Sequence, residues 1–341
     1  MRDKDASAVS DSRSAVIDWA RFTALVGDCQ RFLLTTHIRP DCDALGSTLA
    51  MAEILEQLGK SVSVVTAFDV PPRLQFLDPD KRFQRLGSDV PRDRLPAFDL
   101  LLVLDTSAWA QLGEMGEVIR ATTAKKAVLD HHVSTDDLGA ELFRETGAEA
   151  TGRIVHDAAG HLGATITPRI ATLLFAALAT DTGWFRFAST SGETYRLAAR
   201  LTEAGAVPDR MYRELYENDS LARLRLLGRT MARARSELGG RLIYTWITQE
   251  DFAECGALAS DSEDLINLTL CVGGTEVAVI LVEQASGGFK VSFRSRSGLD
   301  CSRVAEQFGG GGHKAAAGAF VPDPFPVAQA KVLDAVRAAM R

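Results

Sequence analysis

The chain reads as an α/β protein of two domains: an N-terminal parallel sheet flanked by helices, and a smaller C-terminal α/β unit with a mixed sheet. Three observations predict this. Strand-like and helix-like patterns alternate through the first half. The strand candidates there are continuous apolar runs, such as Leu100-Leu101-Leu102-Val103-Leu104, the pattern of strands buried on both faces of a helix-covered parallel sheet. The 341 residues also exceed the length at which a single core stops growing.

The elements follow in order. Met1 to Ser14 is polar, carries both signs of charge and lacks an apolar signal core, so residues 1–14 are expected to be a disordered tail. A strand is predicted over Arg31 to Thr36 and a helix over Ala44 to Leu58, with Leu45, Leu49, Ala52 and Leu55 on one side and Gly59 at its end. Strands follow at Ser61 to Thr66, Phe98 to Leu104 and Lys126 to Leu129, with loops at Pro71-Pro72 and Pro91 to Pro96. Helices are expected at Ala150 to Leu162 and Pro168 to Thr180, where proline suits a first helical position. Glu193 to Leu238 reads as helical throughout. Strand patterns resume at Arg241 to Ile247 and continue at Glu276 to Glu283 and Phe289 to Arg294, the last two joined by a Ser286-Gly287-Gly288 hairpin turn. The domain boundaries expected from this are 15–200, a helical linker over 201–238, and 239–341.

Composition narrows the function. The net charge is -7, which argues against affinity for long duplex nucleic acid, because that depends on many phosphate contacts. A short anionic substrate is still allowed, since bound metals and a few local cations can hold one. No apolar run approaches the ~18 residues of a membrane helix. The five cysteines, Cys29, Cys42, Cys255, Cys271 and Cys301, are scattered without a C-x-x-C. That disfavours a disulfide framework or a structural zinc site and fits a reducing cytoplasm.

The chemistry concentrates in four clusters. Thr36-His37-Ile38-Arg39-Pro40-Asp41-Cys42-Asp43 puts one imidazole and two carboxylates directly after the first strand. Asp105 ends the Phe98 to Leu104 strand, Asp130-His131-His132 ends the Lys126 strand, and Asp181 follows the Pro168 helix. Each alone has an ordinary reading: a strand-terminal Asp before Thr or Ser is often a cap or turn former, and a His pair is often surface polar. If the strands are parallel, however, three clusters converge on one edge of the sheet, where open α/β sheets bind ligands. Hard oxygen donors with a few imidazoles are what a two-metal phosphoesterase needs. As surface-facing ligands, these carboxylates are expected to contribute little to the core. His156 and His161 sit on a polar helix face and are taken as surface residues.

A second signal is Gly309-Gly310-Gly311-Gly312-His313-Lys314-Ala315-Ala316-Ala317-Gly318. Successive glycines can curl into an anion-binding nest, with His313, Lys314 and the upstream Arg294 and Arg296 adding donors for a phosphate. The bland reading is a glycine hinge before an alanine-rich helix start.

Taken together, His37-x-x-Pro40-Asp41-x-Asp43-Ala44-x-Gly46-Ser47, Asp105, Asp130-His131-His132, Thr180-Asp181-Thr182-Gly183 and the Gly309 to Gly318 stretch make the chain resemble the DHH phosphoesterase superfamily with a DHHA1 C-terminal domain. Within it, the likeness is to the nano-RNase/3'-phosphoadenosine-5'-phosphate (pAp) phosphatase group. The resemblance implies one Mn²⁺ on Asp43, Asp105, His131 and Asp181 and a second on His37, Asp41 and Asp105, with Mg²⁺ or Zn²⁺ as substitutes. Asp130 would orient a ligand, and His132 would donate to the scissile phosphate. Arg294, Gly311, Gly312 and His313 would hold the substrate's distal end across a cleft between DHH and DHHA1 domains. The implied activity is hydrolysis of RNAs of about two to five nucleotides to mononucleotides, with removal of the 3'-phosphate of pAp, by two-metal activation of a bridging water. The partners implied are short RNA or small phosphorylated nucleotides, with no membrane or long duplex, and a homodimer is compatible. Hydrolysis of cyclic dinucleotides or pApA is the alternative, and a non-catalytic nucleotide sensor is the rival from another class. Cys42 departs from the family's glycine between the two aspartates; it reads as an inert small side chain, although a thiol beside metals could also be oxidised or favour zinc. Thr135 departs from the asparagine that commonly follows the DHH triplet.

Overall fold

The structure, a computed structural model, describes residues 17–341 except 134 and 313. The expected tail at 1–14 and the candidate residue His313 therefore lie outside the described residues. The chain divides into two compact units, 1–217 and 218–341.

In the first unit, chain order is α1 (Trp19–Gly27), β1 (Arg31–Thr35), α2 (Cys42–Gln57), β2 (Ser61–Thr66), β3 (Phe83–Arg85), β4 (Leu100–Leu104), α3 (Met115–Ala121), β5 (Lys125–Asp130), β6 (Glu141–Arg144), α4 (Thr151–Leu162), α5 (Pro168–Asp181), α6 (Gly192–Glu203) and α7 (Pro208–Tyr216). The six strands form one sheet in the order β3-β2-β1-β4-β5-β6, parallel throughout. The order reverses between β1 and β4, which makes this a doubly wound sheet with its switch point there. Alternate residues of each strand feed two cores. Phe32, Leu34, Leu102 and Leu104 pack with α1, α2, α4, α5 and α6 on one face, while Leu33, Leu101, Val103 and Val128 pack with Met115 and Ile119 of α3 on the other. At the end where β1 and β4 begin, the Asp99 carboxylate accepts from the backbone N–H groups of Gln30 and Arg31.

α2 and α5 pack closely enough that a Cβ on Gly46 would lie 2.5 Å from the Leu173 carbonyl oxygen. This is why glycine follows the aspartate pair at that spacing.

The second unit runs α8 (Leu221–Ala232), β7 (Arg235–Glu237), β8 (Leu242–Ile247), α9 (Gln249–Cys255), α10 (Leu265–Thr269), β9 (Val277–Glu283), β10 (Phe289–Ser295), α11 (Cys301–Glu306), β11 (Gly311–Gly312), β12 (Ala316–Val321) and α12 (Phe325–Ala339). Its sheet has the order β11-β12-β10-β9-β8-β7 and is mixed: β8 and β9 are parallel, the other pairs antiparallel. The expected hairpin at 286–288 joins β9 to β10, closed by Gln284 N–H donating to the Gly288 carbonyl.

The stretch expected to be helical over Glu193 to Leu238 is helical for most of its length but not to its end. It is α6, α7 and α8, broken at Gly205, whose φ is +112°, and again before Ser220, which caps α8 through Arg223 N–H. Its end, Arg235 to Glu237, is β7. Leu and Arg are common in helices, so composition alone could not see the breaks. The alanines before Gly318 do not start a helix either: Ala316 and Ala317 enter β12, where small side chains let β11 approach.

Candidate metal centre

β1, β4 and β5 end at one rim of the first sheet, and the candidate donors follow directly. Thr36 ties two of these ends together, its hydroxyl donating to the Leu104 carbonyl at 2.8 Å. His37 comes next. Its Nδ1 donates to the Ile38 carbonyl at 2.9 Å, which leaves Nε2 to face Asp105 Oδ2 at 3.4 Å. A backbone acceptor on one ring nitrogen is the usual way a ligating imidazole is oriented. Asp41 has two roles. It caps α2 by accepting from Ala44 N–H at 3.0 Å, and it shares a donor group with His37 and Asp105.

Asp43 corrects one expectation. It does not face the surface: it is 1% exposed, and it accepts from Thr151 N–H at 2.7 Å, Gly152 N–H at 2.9 Å and the Ser47 hydroxyl at 2.9 Å. α4 has no side-chain cap of its own. Asp43, on another helix, supplies the acceptor its first turn needs. Thr151 also donates its hydroxyl to Asp105 Oδ1 at 2.8 Å. A Cβ on Gly152 would lie 2.7 Å from the Ala177 Cβ and 3.5 Å from Asp43 Oδ1. Thr151 and Gly152 were not among the sequence candidates. The signal that could have found them is an α/β helix N-terminus, a ready anion site.

Asp105 follows β4 with φ +62°, a left-handed conformation that costs a non-glycine residue about 1–2 kcal/mol and tends to collect at functional sites. It is held there by its N–H donating to the Leu129 carbonyl at 2.9 Å. Asp130, the last residue of β5, is fully buried. It accepts from the Ser107 hydroxyl at 2.6 Å, from His132 N–H at 3.1 Å and from His132 Nδ1 at 2.8 Å. His131 donates Nδ1 to the Ala148 carbonyl, so its Nε2 stands 3.6 Å from Asp105 Oδ1, 3.4 Å from Asp181 Oδ2 and 3.9 Å from Asp43 Oδ2. Asp181 is the last residue of α5.

Three donor groups result, each with its atoms within 4.8 Å of one another: His37, Asp41 and Asp105; Asp43, His131 and Asp181; and Asp105, His131 and His132. Asp105 and His131 each belong to two. All seven predicted residues of the first unit outside Asp130 are thus brought together, and Asp130 stands behind His132.

The electrostatics fit a cation. Burial pushes the Asp43, Asp105 and Asp181 carboxyls above the ordinary carboxylate range, and their neighbours push further: Asp105 feels Asp43 and Asp41, and Asp181, driven up to about 8, feels the same two. Carboxylates packed this tightly repel one another unless positive charge sits among them. Burial also opposes ionisation of Asp130, but the hydrogen bonds from His132 and Ser107 outweigh it and hold its carboxyl low. The bond to Asp130 in turn raises His132. Cys42 is 3% exposed, and burial drives its thiol up to about 12; a thiol so placed is an inert packing group.

In the second unit, Arg294 lies on β10 opposite Ala316, and Gly312 on β11 opposite Ala317, so Arg294 and the glycine pair flank the start of β12 from its two sides. Two of the four glycines spend their N–H groups within the fold. Gly309 and Gly310 donate their N–H groups to the Glu306 and Ala305 carbonyls, closing α11. Gly310 and Gly312 are glycine because β12 leaves no room: a Cβ would lie 2.2 Å from the Gly318 carbonyl oxygen or 2.6 Å from the Ala317 Cα. Gly311 and Gly312 are exposed on the sheet edge.

A doubly wound sheet with carboxylates and imidazoles gathered at its switch point, followed by a separate mixed-sheet unit, defines a hydrolase of phosphate esters. Residues 31–178 match the DHH family, N-terminal domain, and residues 239–341 match the DHHA1 domain; the chain belongs to this DHH–DHHA1 family. It is 33% identical over 306 residues to the bifunctional oligoribonuclease and PAP phosphatase NrnA of Thermus thermophilus, covering 89% of this chain and 88% of that protein. It is 26% identical to the protein of the same name from Bacillus subtilis, over 85% of this chain and 88% of that one. In fold it is similar to an exopolyphosphatase-related protein from Bacteroides fragilis, with a TM-score of 0.86 at 24% identity, covering 94% and 95% of the two chains. No helix among the described residues is long and apolar enough to cross a membrane.

Proposed function

We propose that the protein is an Mn²⁺-dependent phosphodiesterase that degrades RNAs of about two to five nucleotides to mononucleotides and also removes the 3'-phosphate of pAp, using a two-metal centre. The observation that carries this reading is the overlap of three donor groups through Asp105 and His131, which supports two adjacent cations sharing a carboxylate. The oligoribonuclease and PAP phosphatase activities for which the two NrnA relatives are named support the substrate class. We assign catalysis to residues 15–200, connection to 201–238 and substrate holding to 239–341, with the cytoplasm as the working compartment. All five cysteines are free thiols.

In this reading His37, Asp41 and Asp105 hold one cation, and Asp43, Asp105, His131 and Asp181 the other. Such a pair supplies Lewis-acid polarisation of the phosphoryl group and acidifies a water. The protein does the rest. Thr151 and the α4 N-terminus fix Asp43 and Asp105, so the donor set is assembled before substrate arrives. Asp130 accepts from His132 Nδ1–H and favours the doubly protonated ring, whose Nε2–H donates to a phosphate oxygen. Arg294, Gly311, Gly312 and His313 hold the far end of a short substrate.

The test is a product time course on pAp, pApA, cyclic di-AMP and RNAs of graded length, with Mn²⁺, Mg²⁺ and Zn²⁺ compared. Mononucleotides appearing from the shortest RNAs, fastest with Mn²⁺, is the expected result. Equal rates on long RNA, or full activity in chelator, would overturn it. His313→Ala should raise KM on short RNA with metal content unchanged.

A further inference from the structure

Directly after Asp181, the chain does something uncommon. Gly183, Trp184 and Phe185 take φ values of +58°, +59° and +63°, so two bulky aromatic residues in succession sit in the left-handed region, which neither favours. Trp184 N–H donates to the Ala179 carbonyl and pins the turn to the end of α5. The turn aims the Trp184 ring at α7, where it meets Tyr212 edge-on at 5.0 Å and Tyr216 at 5.7 Å. The two tyrosines stand 4.9 Å apart, as residues i and i+4 of one helix should.

The core does not require these tyrosines. α7 docks through the neighbouring stripe: Met211 is 3% exposed, and Leu215 packs against the main core. Tyr212 and Tyr216 remain 39% and 48% exposed. The shelf also adjoins the donors. Trp184 stands three residues beyond Asp181, the last residue of α5. Arg186 is exposed, is anchored by Nε donating to the Gly183 carbonyl at 2.7 Å, and has no carboxylate partner among the described residues.

We propose that Trp184, Tyr212 and Tyr216 form a stacking shelf for a nucleobase of the substrate, with the Arg186 guanidinium beside it to meet a phosphate. Phenol and indole faces stack on any base, so such a shelf grips without reading sequence. A guanidinium suits a phosphate fork. The proposal deepens the phosphodiesterase reading above and rests on it: the shelf accounts for how a substrate with only one or two phosphates is held beside the carboxylates.

The test compares binding of AMP and ribose 5-phosphate, which differ only by the base, to full-length Mn²⁺-loaded protein by titration calorimetry. The wild type should prefer AMP by about tenfold or more. The Tyr212→Ala/Tyr216→Ala double variant should lose that preference while its ribose 5-phosphate affinity and far-UV CD spectrum stay unchanged. Tyr216→Phe should keep the preference; Tyr216→Leu, which keeps apolar surface without a π face, should weaken it. In kinetics on pApA, KM should rise and kcat change little. A preference intact in the double variant overturns the shelf, and so does an equal loss of affinity for both ligands. A wild type that cleaves short RNA but binds the two ligands equally overturns the shelf alone. A wild type that neither binds them nor cleaves RNA overturns the underlying reading and the shelf with it.

Discussion

At the scale of single residues, the centre depends on groups that hold other groups. Asp105 is the shared donor, so Asp105→Ala should reduce turnover by at least about a thousandfold and abolish any rise in Tm on adding Mn²⁺; a variant still active and still stabilised by Mn²⁺ would contradict the assignment. Asp130 touches no donor group except through His132. Asp130→Ala should therefore lower kcat by about 10–100-fold, with metal content by atomic absorption unchanged. The donor side chains were legible in the sequence because their chemistry is carried by type and by position at strand ends. Thr151 and Gly152 were not, because their contribution is backbone N–H, which any residue at a helix start could offer. Asp43 was read as surface-facing because carboxylates usually are; burial by α4 was invisible without knowing that α4 starts above it.

At the scale of elements, what could be read depended on how strongly the pattern was forced. β1, β4 and β5 are central strands whose both faces are buried, so their apolar runs announced them. β3 and β6 are edge strands of three and four residues with mixed exposure, too short to carry a period. The glycine run was ambiguous for a physical reason: a nest and a close strand approach both require the absence of Cβ, and only the position of β12 distinguishes them. Gly310→Ala should accordingly push β11 away from β12 and destabilise the second unit by about 1–3 kcal/mol, measured in urea. An unchanged midpoint would mean that the edge tolerates the methyl group.

At the scale of the whole molecule, two units with their own cores follow from a chain too long for one, and each should melt by its own rules. In the second unit, Asp251 is 3% exposed. It is gripped by Arg233 at 2.5 and 2.7 Å and by Thr248 N–H and hydroxyl. Burial alone would raise its carboxyl, but these bonds outweigh it and hold it below the ordinary value. A depressed carboxyl stabilises above its unfolded pKa, about 3.9, and that contribution is lost as pH falls through the lower folded value. Asp251→Asn should thus cost about 2–4 kcal/mol at neutral pH and remove part of the acid sensitivity below about pH 4. Calorimetry should show two transitions in the wild type, with only one displaced in the variant; displacement of both would mean that the units unfold together.

Because the donors of the first unit gather at the rim where its parallel strands finish, the opposite rim is spare ground for engineering. A peptide inserted in the turn between Thr123 and Ala124, just before β5 begins, would lengthen the protein far from its chemistry. One residue added inside β5 itself would turn over each side chain that follows it, burying what must coordinate and exposing what must stay dry.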